Sequence, residues 1–298
     1  VTTTTRSGIA GLPPWSLTVV AMLCAQLGAA LSMGIIAAVG PAGAAWLRLT
    51  IGGLIFLAVA RPRFRDIARR DYPALLGLGV ATGVMSTAFM FAIERIPLGT
   101  TVAIEFLGPL TVAAVQSGTR RALLWPALAL VGVVLLTEPW QGSVSAVGIG
   151  FAVLGALSWG AYIVLTQHVG DRFEGITGLA VTIPIAALAA AVVGVPEAYG
   201  HLTLGVIAAS LGIALLFPVT TFALEMIALS RMTHTAFGTL MALEPAIGLM
   251  LGLVVLHQKP SLTQLVGIVL VVASGAAAQQ GGLRDPNEAA VPLPYPPQ

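Results

Sequence analysis

The chain has 298 residues, 57% of them hydrophobic and 9% charged, with a formal net charge of +2. A soluble domain carries about 25% charged residues, so this composition excludes a water-soluble monomeric globule, whose surface would be largely apolar; a bilayer is the solvent that suits it. So small a net charge says nothing useful about nucleic acid, and no nucleic-acid partner is expected; a single cysteine, Cys24, excludes an intrachain disulfide framework and argues against a thiol–metal site.

Residues 1–14 form a threonine-rich segment that reads as a cytoplasmic N-terminus. The apolar run after it is longer than a signal h-region and lacks a clear cleavage site, so it reads as the first membrane helix. A crossing helix needs about 20 mostly apolar residues at 1.5 Å rise each. With Pro, Gly and charge as punctuation, this rule predicts ten spans: 15–38, 41–60, 73–94, 98–117, 121–137, 147–168, 176–195, 204–229, 234–256 and 262–278, the fifth and tenth being the shortest. The Pro-rich tail, 279–298, is expected to be a disordered cytoplasmic end.

Lys and Arg in short loops set orientation. With both termini in the cytoplasm, Arg6, Arg61, Arg63, Arg65, Arg69, Arg70, Arg120, Arg121, Arg172, Arg231 and Arg284 lie inside, and Arg95 and Lys259 outside. An even span count agrees with that placement. The protein is therefore expected to be a multi-pass protein of a prokaryotic plasma (inner) membrane.

The halves resemble each other. Ala92-Ile93-Glu94-Arg95-Ile96 lies on Ala228-Leu229-Ser230-Arg231-Met232 at an offset of 136, which also lays Pro109 on Pro245. At offset 135, Val131-Gly132-Val133-Val134-Leu135 falls on Val266-Gly267-Ile268-Val269-Leu270. Two five-span units, 15–137 and 147–278, follow. Five is odd, so the second must enter from the opposite side. The expected fold is an all-α integral membrane protein of ten helices in two inverted five-helix repeats, a device of secondary transporters whose sites lie near the midplane.

Polar residues inside spans are the functional candidates, since a central charge costs about 2.5–3.5 kcal/mol on insertion scales. Arg48 sits in the second span, too deep to snorkel easily. Its guanidinium suits a substrate carboxylate, or it forms a structural pair with Glu105. Glu105, in the middle of span 4, could exchange a proton, contact a substrate amine, or pair with Arg48. Glu225 in span 8 and Glu244 in span 9 are further proton-coupling candidates. Pro245 beside Glu244 leaves the Met241 carbonyl without its helical partner, and Gly108-Pro109 is expected to break span 4 in the same way; packing kinks are the plainer account. Gln26, Trp159, Tyr162 and Gln167 are softer candidates for cavity lining, with Trp159 and Tyr162 three apart on one face. His168 and His234 lie at span ends, where solvation is expected. No His or Cys pair has metal-ligand spacing. Among 34 glycines, Gly79-x-x-x-Gly83 and Gly248-x-x-x-Gly252 suit close helix approach, within the bundle or in a homodimer.

No phosphate-binding loop, zinc-protease motif, hydrolase triad or potassium filter is present. Neither an enzyme nor a cofactor is expected, and ion-coupled transport or facilitated diffusion remains. Three stretches then carry a resemblance: Ile96-Pro97-Leu98-Gly99 continuing through Val102-Ala103-Ile104-Glu105-Phe106-Leu107-Gly108-Pro109-Leu110, Leu224-Glu225-Met226-Ile227-Ala228-Leu229, and Phe237-Gly238-Thr239-Leu240-Met241-Ala242-Leu243-Glu244-Pro245-Ala246. With Leu47-Arg48-Leu49 and Trp159-Gly160-Ala161-Tyr162-Ile163, they make the chain similar, over residues 15–278, to the drug/metabolite transporter superfamily of EamA type and its bacterial threonine/homoserine exporter branch. The resemblance implies ten helices in two inverted repeats and proton-driven export of small neutral amino acids. It departs at His257-Gln258-Lys259, where exporters of this type tend to carry an acidic Gly-Glu. An exporter of drugs or other metabolites, and a membrane subunit that binds a partner without transporting, stay open from the residues alone.

Overall fold

The computed structural model describes residues 12–62, 69–117, 120–141, 145–169, 176–232 and 234–280. Most of the N-terminal segment, the tail from 281 onward, and Arg6, Arg63, Arg65, Arg172 and Arg284 lie outside these residues, as do the side chains of Arg69, Gln167, His168 and His234. The described residues hold helices and turns and no strand. Eleven helices follow in chain order: α1 (Pro14–Val39), α2 (Pro41–Ala60), α3 (Tyr72–Ile93), α4 (Leu98–Gln116), α5 (Leu124–Thr137), α6 (Ala146–Val169), α7 (Ile176–Ala198), α8 (Leu204–Leu229), α9 (His234–Met241), α10 (Glu244–Val255) and α11 (Leu262–Gln280). Among the described residues nine stretches are long and apolar enough to cross a membrane, and Leu262–Ala278 is a shorter apolar helix. The fifth stretch, expected to be among the shortest, reaches Arg120–Gln141 because single 3-10 turns extend both ends of α5.

α1 and α2 form a tight hairpin. Gly40 makes the turn at φ 75° and ψ 166°, a conformation open to glycine, and Pro41 starts the return helix. A Cβ on Gly40 would lie 2.2 Å from Cδ of Glu197. That carboxylate accepts the Gly43 N–H at 2.9 Å and so caps the start of α2 from α7. Twelve residues either side of the turn, Gly28 and Gly52 meet Phe217 and Pro218, so the two arms return to one depth.

Prolines act unequally. The helix stops at Met241 and restarts at Glu244, with Pro245 in the first turn of the new helix, where its missing N–H costs nothing. α4, in contrast, runs through Pro109 without interruption, so the break expected there is at most a local loss of the hydrogen bond to the Glu105 carbonyl. A further break falls at Phe217, which is extended at φ −139° and ψ 123° within a π-helical turn that contains Pro218.

The packing pairs form a pattern. α1 and α2 pack on α7 and α8, α3 on α6 and α7, α4 on α6 and α10, and α5 on α11. Close approach occurs at glycines. A Cβ on Gly79 would meet Ile185 and the Thr182 carbonyl, and one on Gly83 the Ala186 carbonyl, at the α3–α7 crossing. Gly248 faces Val102 of α4, and Gly252 faces Leu98 and Gln258. Both glycine pairs therefore serve within the bundle, and a dimer contact would have to use other faces. At the α5–α11 crossing, a Cβ on Gly132 would lie 2.6 Å from the Gly267 carbonyl, and one on Gly267 would lie 2.6 Å from the Gly132 carbonyl.

One end of the bundle gathers Gly40, Glu197, Arg95, Glu138 and Gln258, tied by Glu197 to Gly43, Gln258 to Leu98 and Glu138 to Ser261. The opposite end gathers the helix termini at Arg61, Arg70, Arg120, Arg121 and Arg231. Gly132→Leu should drive backbones apart at the α5–α11 crossing and destabilise the fold by about 1–3 kcal/mol or more. Apparent unfolding temperature of the purified protein in detergent checks this, with Leu130→Ala on the exposed side of α5 as the neutral control.

Candidate substrate-binding site

Within this bundle the polar exceptions converge. Gln26, 4% exposed, reaches from α1 to Glu244 at the start of α10, its Nε2 donating to Oε1 at 3.1 Å. The interruption between α9 and α10 puts Glu244 on a first helical turn, where a carboxylate is favoured by the helix dipole. Oε1 of Gln26 and Oε2 of Glu244 are buried with no hydrogen-bond partner among the described residues.

Arg48 on α2 is 4% exposed. Its Nη2 donates to Oγ of Ser86 on α3 at 2.7 Å, and its guanidinium stacks 4.7 Å from the centroid of the Phe217 ring. The break in α8 is what turns Phe217 from its helical path, and a desolvated cation over a ring gains about 2 kcal/mol. Nε of Arg48 has no partner among the described residues. Glu105, 7% exposed on α4, lies against Gly155 of α6, where an added Cβ would sit 1.9 Å from Oε1. That oxygen too is buried and unpartnered.

The alternative of a structural pair is not what forms: among the described residues the ion pairs are Arg70–Asp71 and Arg95–Glu94, and none joins Arg48 to Glu105. The two are nevertheless near enough to attract each other, and Glu105 also senses the charge of Glu244. Glu244 in turn acts on Glu225, and Glu225 on Tyr162. So the structure draws Gln26, Arg48, Glu105, Tyr162, Glu225 and Glu244 into one electrostatic neighbourhood built from α1, α2, α4, α6, α8 and α10. Trp159, half-buried, lies one turn from Tyr162 on α6. Pro109 lies one turn beyond Glu105, and next to it Gly108 lets α4 approach the Ala156 carbonyl of α6. Isolated, half-satisfied polar groups are costly at this depth, and their arrangement is suited to a small ligand carrying both charges. No cluster of three or more His, Cys, Asp or Glu suited to a metal occurs among the described residues.

Comparisons with known proteins bear on the class. The model of the EamA-like transporter family matches residues 146–277. The threonine/homoserine exporter RhtA of Escherichia coli (strain K12) is 33% identical over 275 residues, which cover 88% of this chain and 91% of that one. The protein of the same name from Salmonella typhimurium (strain LT2) is 30% identical over 288 residues, 93% of this chain and 95% of that one. The chain belongs to the EamA-like transporter family. It is thus a multi-pass membrane transporter, handling a small molecule in a lipid environment, and no enzyme. A solved crystal structure with a TM-score of 0.60, covering 88% of this chain and 96% of that one at 21% identity, shares the fold.

Within this EamA-family site, Ser86, Phe217 and Gly155 escape a reading of the sequence. Pro218 inside an apolar span was a usable signal for the break beside Phe217. Nothing local marks Ser86 or Gly155, whose roles come from a helix packed across from each. Gly155→Ala should push a methyl group into Oε1 of Glu105 and cost about 1–3 kcal/mol of stability. The combined Gly155→Ala, Glu105→Ala protein should recover part of that loss, which a thermal unfolding comparison of the three variants and the parent will read.

Proposed function

We propose that this protein exports small neutral amino acids of the threonine and homoserine kind across a bacterial inner membrane, coupled to proton entry and working by alternating access. The observation that carries the proposal is the state of Arg48 and Glu105. They are buried, opposite in charge and close enough to interact, yet each keeps a buried polar atom without a partner. A zwitterion inserted between them supplies both missing halves: its carboxylate to the guanidinium, its ammonium to Glu105 or Glu244. Trp159 and Tyr162 wall the space. The names of the full-length relatives support the cargo.

Coupling needs a carboxylate that exchanges a proton as the substrate leaves, and Glu105, Glu225 and Glu244 are the candidates. Alternating access follows if the two five-span units are inverted repeats. Two features support that reading. Span 1 meets span 8 at Gly28 and Phe217 and at Ala21 and Thr221, as span 6 packs on span 3, while span 2 meets span 7 at Ala42 and Gly194, and spans 4 and 9, and 5 and 10, pack on their own counterparts. Gly132 and Gly267, equivalent at offset 135, face each other's carbonyl as groups beside a two-fold axis do. The arginines that gather at the Arg61 and Arg231 end support a cytoplasmic position for both termini.

Proteoliposomes loaded with labelled threonine should release it faster under an inwardly directed proton gradient. Arg48→Ala and Glu105→Gln should each slow efflux at least about tenfold, as loss of one partner of a buried charge contact does. Full efflux by both variants overturns the site.

A further inference from the structure

Apart from the central set, the molecule has a second place where opposite charges face one space. A cavity of about 140 Å³ opens at the Arg95 end of the bundle, between the α3–α4 turn, the end of α5 and the start of α11. A water takes roughly 30 Å³ of liquid, so the space admits a molecule as small as a short amino acid. Its polar walls are Arg95, Thr100, Thr137, Glu138 and Gln264, over an apolar floor that includes Ile96 and Leu136.

Both charged groups are held in place and incompletely used. Nη1 of Arg95 donates to the Phe91 carbonyl at 2.8 Å and to the Glu94 carboxylate, and its guanidinium lies 5.3 and 5.5 Å from the Phe91 and Phe151 rings. Its Nε and Nη2, the other edge of the fork, have no partner among the described residues. Glu138 is 6% exposed, although it terminates α5 at an aqueous end, and its φ of 41° is left-handed. Ser261 donates to Oε1 and holds the carboxylate in the cavity wall; Oε2 accepts no hydrogen bond among the described residues. Gln264 is fixed by the Leu136 carbonyl at 3.1 Å and by the Ser261 N–H at 3.0 Å. No ion pair joins Arg95 to Glu138; Arg95 pairs with Glu94 through Nη1, so the second edge of its guanidinium is what remains for a ligand that also meets the Glu138 carboxylate.

The cavity also lies in line with the buried carboxylate. Gly148 of α6 receives Arg95, and Gly155, seven residues on and so on the same face, receives Glu105. Seven residues of helix span about 10 Å. We propose that this cavity is a second, exit-side binding site for a zwitterionic α-amino acid, with the carboxylate on Arg95 and the ammonium on Glu138. The identity of the amino acid and the exit-side position rest on the function and orientation proposed above; the charge pattern does not.

Equilibrium binding of tritiated threonine to the purified full-length protein in nanodiscs, by scintillation proximity, tests the site. Arg48→Ala should retain a binding component. Adding Glu138→Gln or Arg95→Gln should weaken that component at least tenfold, whereas adding Arg95→Lys should leave it within about threefold and so exclude misfolding. Threonine methyl ester and N-acetylthreonine, each lacking one charge, should compete at least tenfold less well than threonine. Complete loss of binding in Arg48→Ala, residual binding indifferent to both Arg95→Gln and Glu138→Gln, or equal competition by N-acetylthreonine (an anion site only) overturns the proposal. Efflux by the parent protein decides the transport reading separately: protein that binds at this cavity but moves no threonine sinks that reading and not this one.

Discussion

Lipid tails are as apolar as leucine, so no hydrophobic effect draws these helices together, and close packing must do the work. The bundle therefore depends on backbone approach at glycines. Gly79 and Gly83 admit α7 against α3, Gly108 admits the Ala156 carbonyl against α4, and Gly132 and Gly267 admit each other. Each contact brings a carbonyl or small side chain where a Cβ would otherwise stand. The same device builds the site: Gly155 is the space that Glu105 occupies, and Gly52 is the space that Pro218 occupies beside the Phe217 break.

Backbone groups in a membrane must be satisfied within the protein, and three helix interruptions among the described residues each face a neighbour or a polar group. The Gly40 turn meets Glu197, which takes the Gly43 N–H. The Phe217 interruption meets Arg48. The interruption before Glu244 meets Gln26. Two of the three therefore hand a side chain to the central polar set, which agrees with irregular backbone lining a binding space rather than lipid.

That central set is held in an unfinished state. Ser86 and Phe217 orient Arg48 without neutralising it, and Gln26 orients Glu244 without saturating it. A closed Arg48–Glu105 ion pair would be more comfortable at this depth and would compete with any zwitterion for both partners. The spacing that denies the pair comes from α3 and α8, which hold the arginine from its other sides. In the cavity at Arg95 and Glu138, nearer the surface, Phe91, Phe151 and Ser261 hold the two groups, and Arg95 differs from Arg48 in pairing with Glu94 through one edge.

Most of the apolar spans were legible from sequence alone, because crossing length is a local property: rise per residue multiplied by an apolar run. The ends of α1, α2, α7 and α8 fall within a few residues of the expected ones. The identity of the polar exceptions was equally legible, since a charge among apolar residues needs no neighbour to be noticed. What they touch was decided only by tertiary structure. These helices are apolar on nearly every side, so no amphipathic stripe reveals which face turns inward. Hence Arg48 meets Ser86 and Phe217 rather than Glu105, α4 continues through Pro109, and both glycine pairs serve the bundle rather than a second copy. The all-helical, membrane-spanning plan and the lone charges were thus written in the chain, while the unpaired meeting of Arg48 and Glu105 required every helix around them to be packed.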